Sequence, residues 1–339
     1  MSYYQINSRY YNDSMTISGF FSNIIKWRRG LLDIHKSVGL SMLYLWLDSA
    51  WSFAVYGCTI RQYSVGKFYK YKFFERKEVF TYRKLFKLIK ATNNPEFVKY
   101  LEDKELFNTH FSEYVPRKWT TSAKLDDEMF KTLCDSKKGI IAKPLEGTEG
   151  NGVFLVSADE LQFPKNRSKL YDKLKKGNYI IEEVVIQHPQ MVFGNKSVNT
   201  IRVMSLMDKN GKVDVIKAVL RAGVSDCVVD NFHQGGCVYE VDIPSGRICS
   251  EGMSTTSDNI LFHPGTDICM LGYQVPNWDA VVQGCINAHA LLPECRYISW
   301  DVAITPNGIE MIEGNHNGDY DMFEFVGTNM YWRVLKGYL

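Results

Sequence analysis

YISWDVAITPNGIEMIEGNHNG, residues 297–318, places two apolar, β-branched runs on either side of Pro306-Asn307-Gly308, the composition of a short antiparallel hairpin. Taking those three residues as the loop sets Thr305 opposite Ile309 and, counting back along both arms, Asp301 opposite Glu313. Like charges placed so on a sheet repel. Asn315 lies two residues beyond Glu313 and shares its face. Two carboxylates and an amide oxygen converging on one point make a hard-oxygen site for Mg²⁺, completed by water and nucleotide phosphates. The alternative is a surface hairpin whose two acids are merely solvated.

Upstream, GIIAKPLEGTEGNGVFLV (139–156) is an apolar strand ending in Lys143-Pro144, then a loop with Glu146, Gly147, Gly150 and Gly152. Glycines let backbone N–H groups wrap phosphate oxygens, and a lysine leaving the strand adds a point charge. It is not a Walker loop, since no Gly-Lys-Ser/Thr follows. YIIEEVV (179–185) is a buried-strand pattern broken by Glu182 and Glu183. Such a strand can offer a carboxylate to a ribose and backbone groups, here at Val184 and Val185, to an adenine edge.

In this order the pieces resemble the ATP-grasp superfamily: a strand lysine with a flexible Gly loop, an acidic hinge strand, and a late Asp301…Glu313-Gly314-Asn315 metal set. SVNTIRV (197–203), DNFHQGGCVYEVD (230–242), PNWD (276–279) and SWDVAITPNGIEMIEGN (299–315) resemble its sugar-transfer-associated branch, from about residue 45 to the end. The resemblance implies an α+β fold in which two subdomains clasp ATP and Mg²⁺, behind an N-terminal helical accessory domain. The boundaries expected are 1–95 for the accessory domain, 96–190 for the small lid half and 191–339 for the large half. Lys104 is the candidate for the nucleotide-contacting lysine that such proteins place before the Gly loop. In the 226–236 loop the resemblance points to substrate contacts at Asn231, His233, Gly235 and Gly236. One departure is Ser299, two residues before the metal aspartate, where relatives of the D-alanine:D-alanine ligase type usually carry arginine.

Among 339 residues, 40 Lys and Arg against 38 Asp and Glu give +2, a balance that argues against a nucleic-acid binder. Eight cysteines without CxxC spacing read as reduced core thiols of a cytoplasmic protein. The apolar run 38–60 tempts a transmembrane reading, but Asp48 at its centre favours a buried helix, with membrane-surface contact as the second option. Residues 63–90 mix aromatics with Lys and Arg, the pattern of an amphipathic helix with snorkelling lysines. Ser122 is the expected cap of a helix through Leu133. Ser197–Met207 and Val213–Arg221 flank Lys209-Asn210-Gly211 as a second hairpin.

Within those strands Arg202, Lys217 and Arg221 sit among apolar residues, where a charge needs a partner. They are the candidate catalytic residues, with the two arginines first because a guanidinium fork fits phosphate or carboxylate. With Ser299 in place of an arginine, the burden of binding the substrate's anionic group falls on them. The implied reaction is an ATP-dependent carboxylate–amine ligation through an acyl-phosphate, joining an amine or amino acid to a sugar acid or glycan carboxylate. The implied setting is cell-surface polysaccharide assembly, with peripheral contact to membrane-associated glycan machinery. Phosphorylation of a sugar hydroxyl and a non-catalytic nucleotide-binding scaffold are the alternatives.

Overall fold

Ser41 and Gly57 bracket the most apolar helix of the chain. The Ser41 hydroxyl accepts from the Tyr44 N–H, and Gly57, at φ 68°, turns the chain out of the helix. This is α2 (Met42–Tyr56), preceded by α1 (Ile17–Val38) and followed by α3 (Ile60–Ser64) and α4 (Tyr82–Thr92). The computed structural model describes residues 17–136, 138–146, 152–194, 197–224, 236–254, 258–318, 320–327 and 330–339. It divides into two units, Met1–Pro95 with Asp319–Leu339, and Glu96–Gly318. The last stretch therefore clusters with the N-terminal helices and not with the expected large half.

In the first unit the Arg76 fork holds both Asp48 oxygens at 2.6 and 2.9 Å, and the Tyr63 hydroxyl donates to Asp48 at 2.7 Å. Leu31, Ile34, Leu45, Tyr63 and Phe68 form its core. Buried Glu324 accepts backbone N–H groups of Phe80, Met330 and Tyr331 at 2.9–3.0 Å, and Phe80 stacks on Trp332. Two expectations are corrected here. Of residues 63–90 only the last part, α4, is the expected amphipathic helix, with Leu85, Leu88 and Ile89 buried, and the rest is a short helix end, a 3-10 turn and irregular turns. And α2 is not buried: polar Ser49 and Ser52 face inward while Leu43, Leu47 and Trp51 face out.

The second unit begins with α5 (Lys99–Glu102) and α6 (Lys104–His110). Its smaller sheet, in the order β1-β4-β2-β3, is antiparallel throughout, from β1 (Trp119–Thr121), β2 (Ile140–Pro144), β3 (Phe154–Val156) and β4 (Tyr179–Glu183). It packs Ile140, Ala142 and Ile181 against Leu133 of α7 (Asp127–Cys134) and Leu170 and Leu174 of α8 (Pro164–Lys176). Asp126, not Ser122, caps α7, and the Ser122 hydroxyl instead accepts from Tyr179 N–H at 3.0 Å.

The larger sheet has the order β11-β10-β5-β6-β7-β8-β9. Its strands are β5 (Thr200–Met207), β6 (Val213–Ala222), β7 (Cys237–Val241), β8 (Gly252–Met253), β9 (Asp258–Ile260), β10 (Tyr297–Thr305) and β11 (Gly308–Asn315). The expected hairpin β5–β6 pairs antiparallel. Side chains alternate across a sheet, and the two faces differ sharply. One carries Ile201, Val203, Leu220, Tyr239, Trp300 and Val302, packed with Val281, Cys285 and Ala288 of α9 (Trp278–Ala290). By register, the other carries Asn315 and Glu313, Ser299 and Asp301, Arg202, Lys217 and Arg221, and Glu240. The charged residues flagged in sequence thus share one face, spread over five adjacent strands.

Candidate active site

The β10–β11 hairpin sets the site through an irregularity. Thr305 pairs with Gly308 across a two-residue turn, not with Ile309. That register alone would bring Ile312 opposite Asp301 and send Glu313 into the apolar core. A bulge at Asp301/Val302 absorbs Ile312, so Asp301 faces Glu313 and Ser299 faces Asn315, the pairing expected from a three-residue loop. Gly314 lies on the core face, where a Cβ would meet Leu101 at 2.9 Å and Phe107 at 3.1 Å. Glycine there lets α5 and α6 close onto the hairpin.

Asp301 is 2% exposed and grips two arginines from neighbouring strands. Arg202 donates from Nε and Nη2 to its two oxygens at 2.6 Å each, and Arg221 Nη1 donates to Oδ2 at 2.6 Å. Burial opposes ionisation of this carboxyl, but the two guanidiniums overturn it and hold Asp301 well below the usual carboxylate range. Glu313 has the opposite balance. Loss of water and then the Asp301 charge raise its carboxyl, opposed by Arg202 3.8 Å away. Half of its side chain still reaches solvent, so it is the open member of the pair. Asn315 Nδ2 donates to Glu313 Oε1 at 3.2 Å. The Ser299 hydroxyl beside Asn315 is buried and finds no partner among the described residues.

A second charged group assembles on the smaller sheet. Glu182 is buried between Arg117, which donates from Nε and Nη2 at 3.2 and 2.9 Å, Asn108 at 2.8 Å, and the Lys143 ammonium at 2.5 Å. Burial would raise its carboxyl, but Arg117 and Lys143 hold it well below the ordinary range. Arg117 also donates to the Met311 carbonyl at 2.8 Å and lies 3.5 Å from Glu310, tying this sheet to β11. Lys104 donates to the Leu145 carbonyl at 3.3 Å. Burial lowers its pKa, opposed by the charge of Glu313, while Lys143 and Glu182 act on it too. Lys104, Lys143, Glu182 and Glu313 therefore lie within one electrostatic neighbourhood.

Other expected residues are placed differently. Lys217 is on the charged face but fully buried, 3.5 Å from Glu240. Glu183 accepts from Lys118 N–H and the Lys138 ammonium at 3.2 Å each. Val184 gives its N–H to the Gly139 carbonyl at 3.1 Å, so that donor is engaged, and Val185 follows it at partial exposure. Glu146 is exposed, Gly152 adopts φ 77° and Gly236 is buried. Gly147, Gly150, Asn231, His233 and Gly235 lie outside the described residues. The described cysteines are free, five of them buried and Cys249 and Cys269 exposed. Sequence reasoning missed Arg117, Asn108 and Glu310. Nothing in the sequence marks Arg117, which lies between Pro116 and Lys118 ahead of the short strand Trp119–Thr121.

Among the described residues no three His, Cys, Asp or Glu side chains gather as a metal site. The set here is two carboxylates with an amide as third donor, and Asp301 already satisfies two cations. The fit to Mg²⁺ rests on Glu313, a half-exposed carboxyl facing the Asp301 charge, beside Asn315 and the Ser299 hydroxyl, which has no partner among the described residues. A divalent cation relieves that repulsion, and all donors are hard oxygens.

A small sheet bearing a lysine and a glycine-rich loop, with a larger antiparallel sheet whose charged face ends in Asp301, Glu313 and Asn315, defines an ATP-grasp protein. The chain belongs to the sugar-transfer associated ATP-grasp family, whose model matches residues 84–336, a narrower span than the resemblance from residue 45. Among solved structures it is similar to the ATP-grasp ligase PsnB complexed with minimal precursor, Mg and ADP, at 14% identity and TM-score 0.44, over 78% of this chain and 68% of that one. It is similar to the D-alanine-D-alanine ligase from Coxiella burnetii at 12% identity and TM-score 0.38, over 66% and 50%. For the biotin carboxylase–β-γ-ATP complex from Campylobacter jejuni the values are 12% and 0.44, over 78% and 52%. The chain spans about half the length of the last two. No curated protein matches it in sequence.

Proposed function

We propose that this protein is an ATP-dependent carboxylate–amine ligase, and the observation carrying that reading is Glu313 facing Asp301 beside two arginines, within electrostatic reach of Lys104 and Lys143. ATP is a substrate; Lys104 and Lys143 supply the positive charge that draws its phosphates, next to the glycine-rich loop. Asp301, Glu313 and Asn315 would hold Mg²⁺, which supplies neutralisation of phosphate charge when bound. A substrate carboxylate oxygen attacks the γ-phosphorus, the β–γ bridging bond breaks, and its electron pair leaves on ADP. Arg202 and Arg221 stabilise the negative charge of the transferring group and hold Asp301 ionised throughout. An amine nitrogen then attacks the acyl-phosphate carbonyl, phosphate departs and the nitrogen loses a proton, leaving an amide.

The family's association with sugar transfer supports a sugar acid or glycan carboxylate as acceptor and an amino acid or amine as donor, in cell-surface polysaccharide synthesis. The test is release of ADP and phosphate from Mg-ATP across amino acids crossed with sugar acids, with product mass recorded. Release that requires both partners, with a product one water lighter than their sum, is the expected result. ADP without phosphate, with a phosphorylated sugar, would make the protein a kinase. Glu313→Gln should abolish turnover with the fold intact; unchanged ATP hydrolysis in that variant would overturn the metal assignment.

A further inference from the structure

Helix α2 buries Leu45 and Tyr56 but sends most of its large apolar side chains outward. Its inward face carries Ser49, which accepts from Trp27 Nε1 at 2.9 Å, Ser52, which accepts from Arg76 at 3.2 Å, and Asp48 in the Arg76 fork. Its outward face carries Leu43 at 71%, Leu47 at 65% and Trp51 at 54% exposure. A helix packed on a protein core in water shows the reverse pattern. Beyond its C-terminal end Phe73 packs on Tyr56, and Phe73 and Phe74 are themselves 59% and 65% exposed. Large apolar side chains grouped in this way on one exposed helix face mark a surface that some other phase or partner covers.

The surrounding charge identifies that phase. The whole-chain balance of +2 conceals a strong asymmetry, because residues 17–95 hold 14 Lys and Arg against 4 Asp and Glu, net +10, leaving −8 for the rest. Basic groups sit over the exposed phenylalanines and at the C-terminal end of α2. Lys72 lies over Phe74 and Lys77 over Phe73, with ammonium-to-ring distances of 5.9 and 5.5 Å, and Arg83 caps the Phe53, Ala54 and Val55 carbonyls at α2's end. Aliphatic side chains flanked by tryptophan and lysine match the acyl–headgroup boundary of a bilayer with anionic lipid. Leucines such as Leu43 and Leu47 offer no stacking plane to a nucleobase. At 15 residues α2 is about 22 Å long, short of a bilayer core, and among the described residues no helix is long and apolar enough to cross a membrane.

We infer that the N-terminal unit docks on a membrane surface carrying anionic phospholipid, with α2 lying in the interface plane and its Leu43–Leu47–Trp51 face immersed. This does not depend on the reaction assigned above. The test is flotation of the full chain with phosphatidylcholine vesicles with and without phosphatidylglycerol. The wild-type protein should float with the anionic vesicles and release as salt is raised. Leu47→Glu with Trp51→Glu should weaken partitioning about tenfold or more, and Lys72→Glu with Lys77→Glu should remove the preference for anionic lipid. All positions are exposed, and circular dichroism checks that the variants stay folded. Wild-type protein left in the soluble fraction would overturn the proposal, as would flotation indifferent to Leu47→Glu/Trp51→Glu. A lipid-indifferent dimer that the same variant converts to monomer would assign the face to a second copy and overturn it equally.

Discussion

Glu182 is enclosed yet ionised because Arg117, Lys143 and Asn108 converge on it. Removing one partner of such a buried group strands the other. Arg117→Met should therefore cost about 3–5 kcal/mol, read as a drop in denaturant midpoint, and Arg117→Met with Glu182→Leu should recover much of it. At Glu313 partial loss of water and the Asp301 charge raise the carboxyl, and a cation competes with a proton for it. Apparent Mg²⁺ affinity should fall as pH drops through that elevated pKa, measured as the Mg²⁺ concentration for half-maximal ATP turnover; a pH-independent value would rule out Glu313 as the ligand. Arg202 and Arg221 could be found in sequence because a charge inside a β-branched run must have a partner. Arg117 could not, since it follows Pro116 in a segment with no periodicity.

At the scale of elements, the bulge at Ile312 shows how a pairing can be reached by a route that composition does not reveal. The Pro-Asn-Gly signal marks the turn, yet turn length and bulge shift the register in opposite senses and cancel at Asp301. Helix α2 was legible in extent, from Ser41 to Gly57, but not in orientation. Asp48 says only that one side of the helix needs a cation, and Arg76 supplies it 28 residues later. Gly57 has φ 68°, and a Cβ there would meet Arg83 Cβ at 2.3 Å. Gly57→Ala should destabilise the first unit by at least about 1–2 kcal/mol, seen as a lower melting temperature by circular dichroism.

Over the whole molecule, protons taken up on unfolding make acid unfavourable. Burial lowers His289 and His316 to about 4, and His289 stays neutral between Ser205 and the Cys295 carbonyl. Their folded pKa values lie below the unfolded value near 6.5, so the unfolded chain binds more protons between about 4 and 6.5. Stability is full above that window and lost as pH falls through it, by roughly 3 kcal/mol per imidazole. Melting at pH 7 and pH 5 checks this; equal stability would mean that these rings are not held neutral. The sequence by itself determined the existence of the β5–β6 and β10–β11 hairpins, because turn chemistry is local, while the α+β class came with its resemblance to a known family. Only tertiary structure decided that Asp301 belongs to two arginines, that Glu182 joins Lys143 to Arg117, that residues 319–339 cluster with the N-terminal helices, and that α2 turns Leu43 and Leu47 outward. Those outcomes depend on which groups meet across elements far apart in the chain, and local patterns of propensity and spacing carry no record of such meetings.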